Sequence, residues 1–155
     1  MSVCDMAVGL ERLEGDRFFP GQEQQFKMET QRAYRQPGLT VFEIENEEKE
    51  PGFPDTLEIK IDRAIRRGPY GCARPEWVEF VEYKVSDSRG YIEFRKDQPL
   101  FYKRHSDLRI MVRAWSVPDQ RGYIFGANEI LQACQHRATE GDNPMSVCIK
   151  GGILK

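Results

Sequence analysis

From Asp107 to Val117 the chain sets Leu108, Ile110, Val112 and Ala114 against Arg109, Met111, Arg113 and Trp115. A side-chain period of two belongs to a pleated strand, because successive Cβ atoms point to opposite faces of a sheet. A strand with one aliphatic face needs neighbours on both edges and a layer over that face. Any fold open to this chain therefore contains a sheet.

Turn chemistry then recurs. V-S-D-S-R-G-Y-I runs from Val85 to Ile92, and V-P-D-Q-R-G-Y-I runs from Val117 to Ile124. In each octet Asp is suited to capping a turn and Gly to a left-handed backbone conformation, and Tyr-Ile restarts an extended run. The stretch before the first octet, Trp77 to Val85, is rich in β-branched and aromatic residues, and Tyr91 to Lys96 alternates again after it. The octets predict two hairpins of one antiparallel sheet.

Other segments add strands. Leu57, Ile59 and Ile61 alternate with Glu58, Lys60 and Asp62, and Leu39 to Glu45 follows the turn signal Gln36-Pro37-Gly38. Residues 22–33 have two readings, since Phe26, Met28 and Thr30 alternate while the composition favours a helix. Ala127 to Glu140 carries Ile130, Ala133, Cys134 and Arg137 on one stripe and stops at Gly141, which predicts a helix, with Met145 to Lys155 supplying a final strand. No βαβ rhythm is legible. The expected fold is mainly β: an antiparallel β-sandwich or small β-barrel of seven to nine strands, with one C-terminal helix followed by a last strand.

At 155 residues the chain has the size of one domain, 1–155, with residues 1–20 expected as a loosely ordered N-terminal segment. The 23 basic and 25 acidic groups leave a net charge of −2, so no overall field draws it to nucleic acid or an anionic membrane. The absence of a long apolar run and the acidic groups near the start predict a cytoplasmic protein without signal peptide or membrane segment. Cys4, Cys72, Cys134 and Cys148 lie far apart without C-x-x-C spacing, so no metal site and no cofactor are expected. The echo of M-S-V-C at both ends leaves a Cys4–Cys148 bridge as the alternative to buried free thiols.

Catalytic equipment is sparse. The two histidines, His105 and His136, stand outside nucleophile motifs, and adjacent His105-Ser106-Asp107 point to alternate faces. Binding features are stronger. Arg66, Arg67, Tyr70 and Arg74 combine forked donors with a ring in one loop, and Arg109, Arg113 and Trp115 form a cation-aromatic ladder directed to solvent or a ligand if the aliphatic face is the core. The expected function is a non-catalytic β domain that binds a protein partner, or a second copy of itself, through the Arg/Tyr-rich loop and an exposed sheet face. The alternative is a small barrel holding an apolar or aromatic ligand, with enzymatic activity open and with Tyr102, His105 or an inward Arg as polar anchor.

Overall fold

The computed structural model describes residues 8–9, 17–44, 51–61 and 75–155. Its elements in chain order are β1 (Val8–Gly9), α1 (Glu23–Gly38), β2 (Leu39–Glu43), β3 (Thr56–Ile61), β4 (Pro75–Val85), β5 (Tyr91–Glu93), α2 (Asp97–Arg104), β6 (Ile110–Ser116), β7 (Arg121–Gly126), α3 (Ala127–Thr139) and β8 (Ser146–Cys148). Six strands form one sheet in the order β1-β7-β6-β4-β3-β2, and β5 pairs with β8 apart from it. The fold is mixed, a mostly antiparallel sheet with helices on both faces. It is not a closed barrel, since β1 and β2 end the six-stranded sheet, and the expected mainly β sandwich fits only in part, because helices supply much of the layers facing that sheet.

Two departures from the expected topology matter. β4 and β6 run parallel, Val81 beside Met111 and Val85 beside Trp115. The chain therefore leaves β4, forms β5 and α2, and crosses back before β6. Consequently the first octet is a turn without a hairpin. Asp87 Oδ1 accepts from the backbone N–H groups of Arg89 (2.8 Å) and Tyr91 (3.0 Å), and Gly90 takes φ +94°, yet β5 goes on to pair with β8. The second octet does form a hairpin, Ser116 opposite Arg121. There the left-handed residue is Gln120, at φ +48°, and Gly122 lies within β7 opposite Trp115.

The parallel pairing sets the two octets side by side. Ser86 N–H donates to Trp115 O (2.9 Å), and Val117 N–H donates to Ser86 Oγ (2.8 Å). The C-terminal segment ties both, since Ile149 N–H donates to Gly90 O (2.8 Å) and Gly151 N–H to Asp119 Oδ2 (2.7 Å).

α1 settles the ambiguous stretch as a helix, by packing. Phe26, Thr30, Ala33 and Tyr34 fall on one helical stripe, and Phe26 and Thr30 are fully buried. Met28, which the alternating reading places beside Phe26, is 51% exposed. Phe26 meets Tyr83 and Trp115 at 5.9 Å between ring centroids, and Phe18 meets Trp115 edge-on at 4.9 Å. Burying a side chain such as Phe26 stabilises the fold by about 1.5–3 kcal/mol. On the opposite face Ile110, Val112, Ala114 and Phe125 pack with Phe101 and Tyr102 of α2 and Ile130 and Ala133 of α3. No described helix is long and apolar enough to cross a membrane.

Candidate functional site

On the α1 side, the strand alternation that buries Val81 and Tyr83 also brings Glu58, Lys60, Glu79 and Arg113 under the helix. Arg113 Nη1 donates to Glu58 Oε1 (2.7 Å) and to Tyr83 Oη (2.6 Å), Tyr83 donates to Glu58 Oε2, and Thr56 Oγ1 donates to the same carboxylate oxygen (2.9 Å). Glu79 lies directly across from Glu58 and is bridged by Arg113 Nη2 at 3.6 Å and Arg109 Nη2 at 3.0 Å. The Arg113 guanidinium also lies 4.9 Å from the Tyr34 ring centroid and 5.3 Å from that of Trp77. Burial opposes its charge, but Tyr83 and Glu58 outweigh that and hold its pKa above the ordinary value, while burial pushes the Tyr83 hydroxyl well up. Arg113 and Trp115 are each 1% exposed, so for these two the expected cation-aromatic ladder facing solvent or a ligand is corrected, since α1 covers them, while Arg109 stays exposed and paired with Glu79. Trp115 faces Phe18 and Phe26 rather than the arginine.

Beneath α2 a second polar group fixes the helix to the sheet. Gln98 donates through Nε2 to Glu82 Oε1 (2.8 Å) and accepts through Oε1 from Lys84 Nζ (3.1 Å) and Arg95 N–H (2.9 Å). Burial, reinforced by Asp55, pushes the Glu82 carboxyl up to about 7, and its Oε2 has no hydrogen-bond partner among the described residues. Tyr102 is buried beside it in α2, its hydroxyl likewise unpartnered and its pKa raised well above the ordinary value by burial and then by Glu82. His105, at the end of α2, stacks on Phe101 with centroids 4.3 Å apart.

The outer surface of this α2 seat forms a groove of about 280 Å3. α2 contributes Pro99, Leu100 and Lys103, and α3 contributes Leu131, Cys134, Gln135 and Ala138, a spacing of i, i+3, i+4 and i+7 that puts one helical stripe along the wall. Met145 and Pro144 close one part, and among the described residues Lys96 and Lys103 supply its only charges. Leu100 is 50% exposed. Sequence reading missed this groove because Pro99 and the polar flanks disguised α2 as a connection, although Asp97 in its first turn and Lys103 and Arg104 in its last are ordinary helix-end signals.

Of the residues singled out from sequence, Arg113 and Trp115 lie under α1, Tyr102 lies in α2 with His105 capping its C-terminal end, and the structure does not bring these pairs into one site. Arg66, Arg67, Tyr70 and Arg74 lie outside the described residues, as does Cys4, while Cys148 carries a free, half-buried thiol. No group of three or more His, Cys, Asp or Glu that could hold a metal ion occurs among the described residues. Comparison with known protein families, curated proteins and solved structures returns no match.

Proposed function

We propose that the chain is a non-catalytic binding domain whose α2–α3 groove receives an amphipathic, acidic segment of a protein partner. The observation that carries this reading is the apolar stripe Leu131, Cys134 and Ala138 facing Pro99 and the half-exposed Leu100, with Lys96 and Lys103 as the charges that line the groove among the described residues. Helix-in-groove recognition uses such a stripe for anchors at i and i+4, and the lysines select carboxylates flanking them. At about 280 Å3 the groove is at the small end for a small-molecule site but accommodates one or two anchor side chains. Cys134 offers no thiolate at neutral pH, since burial pushes it up to about 11, and this supports binding over thiol chemistry.

The test is fluorescence anisotropy with a labelled amphipathic peptide carrying leucines at i and i+4 and glutamates on its polar face. Binding that weakens with added salt and is lost in Leu100→Glu and in the Lys96→Glu/Lys103→Glu double variant is expected. Binding indifferent to both changes overturns the proposal. The Arg66–Arg74 segment remains a further binding surface in this reading.

A further inference from the structure

An apolar contact and a polar one seat α2 on the rest of the molecule. Phe101 is fully buried, with its ring centroid 4.9 Å from that of Phe53. Gln98, 1% exposed, donates to Glu82 Oε1 on β4 at 2.8 Å. The polar contact therefore ends on an ionisable group.

The surroundings of Glu82 suit a neutral carboxyl. Its Oε1 has the Gln98 amide and, at 3.7 Å, Lys84 Nζ, whereas Oε2 is buried without a hydrogen-bond partner among the described residues. A buried oxygen without a hydrogen bond is far more costly when it carries charge. The elements around Glu82 supply Asp55 from the segment before β3, Lys84 from β4, Arg95 ahead of α2, Tyr102 from α2 and, acting on Tyr102, Cys134 from α3. Lys84 and Arg95 favour the anion, but burial and Asp55 prevail and push the carboxyl up to about 7. Ionising Glu82 leaves a charged, half-unpaired group beneath α2, and hydrating it requires the helix to rise. That helix supplies Pro99, Leu100 and Lys103 to one wall of the groove.

On the reading of the α2–α3 groove as a peptide site, we propose that Glu82 is its gate: the neutral carboxyl seats α2, and ionisation lifts α2 off β4 and removes one wall of the groove. The seated helix holds the Glu82 proton more tightly than the lifted one does. Seating is thus strongest in acid and weakens as pH rises through about 7, and a ligand that needs the seated helix loses affinity by the fraction that has lifted.

Hydrogen exchange of the full chain from about pH 6 to about pH 8.5 tests the gate without peptide. The amides of α2 should exchange faster than those of α3, the mark of local opening. After correction for the intrinsic rate, their protection should fall by up to about tenfold per pH unit above about 7, since each opening releases one proton. Glu82→Gln keeps an acceptor for Gln98 and cannot ionise, so its α2 protection should stay constant with pH. Asp55→Asn removes a neighbouring negative charge and should move the loss to lower pH, which carries the test if Glu82→Gln does not fold. By anisotropy, the affinity for the amphipathic peptide should weaken over the same range in wild type and hold constant in Glu82→Gln. Equal protection in α2 and α3, α2 protection indifferent to pH, or a pH dependence retained by Glu82→Gln overturns the gate, as does an affinity unchanged while α2 loosens. A peptide that binds at no pH overturns the groove reading instead, and exchange in α2 still decides whether Glu82 seats the helix.

Discussion

Arg113 Nη1 stands 2.7 Å from Glu58 Oε1, and the two side chains, 1% and 0% exposed, are almost sealed from water. Glu58 and Glu79 are direct cross-strand partners, and the Arg113 guanidinium lies against both carboxylates while Arg109 also pairs with Glu79, which offsets their repulsion on one face. Removing one member of a buried pair costs about 3–5 kcal/mol, whereas replacing the whole pair with well-packed neutral groups is often far milder. Arg113→Met should therefore lose stability of that order in a urea titration, and Arg113→Met with Glu58→Gln should regain a substantial part. A loss under about 1 kcal/mol would show that the pair carries no such weight.

Glu82 makes stability depend on pH in an uncommon direction. Its folded pKa of about 7 lies above the ordinary 4.5, with burial the first cause and Asp55 the second. The folded state thus binds the proton more tightly than the unfolded state. This contribution is fully present below about 4.5 and is lost as pH rises through about 7. Such a difference corresponds to roughly 3 kcal/mol. Glu82→Gln keeps an acceptor for Gln98 and cannot ionise, so its melting temperature should exceed wild type well above pH 7 and converge with it in acid. Parallel melting curves across that range would refute the assignment.

Three glycines separate backbone strain from crowding. Gly52, Gly90 and Gly141 all have positive φ, +87°, +94° and +79°, so alanine meets a similar backbone penalty of about 1–2 kcal/mol at each. Their surroundings differ. A Cβ on Gly141 meets nothing within 4 Å, one on Gly90 comes within 3.1 Å of Lys150 Cβ and 3.3 Å of Pro118 Cγ, and one on Gly52 falls 2.2 Å from the backbone oxygen of Asp97. Thermal melts should rank the alanine variants Gly141, then Gly90, then Gly52 in increasing damage. Equal losses at the three would mean that backbone strain alone governs them.

Several features were legible in the residues themselves. The alternation from Leu108 to Trp115 became β6, the stripe from Ile130 to Arg137 became α3, and both octets bend the chain, the first with Asp87 capping its turn and the second with Asp119 held by Ser116 Oγ. These readings succeed because period, capping and turn preference act over a few neighbouring residues. The same letters nevertheless serve two backbones. Gly90 is left-handed and crowded by Pro118 of the other octet, while Gly122 pairs within a strand and Gln120 takes the turn.

What local chemistry determined, then, was that strands exist, where the chain turns and which side chains share a face. Which face meets water was decided only when α1 folded across β4 and β6, turning Arg113 and Trp115 from a surface ladder into buried groups and leaving Phe42 and Val78 outside. Strand partnership was decided at the same level: β6 took β4 as a parallel neighbour, so the first turn leads into a crossover through α2. Alternation states only that two sides differ. The layer that covers each side is set by packing between segments distant in the chain, whose burial energy outweighs the preferences of any short stretch.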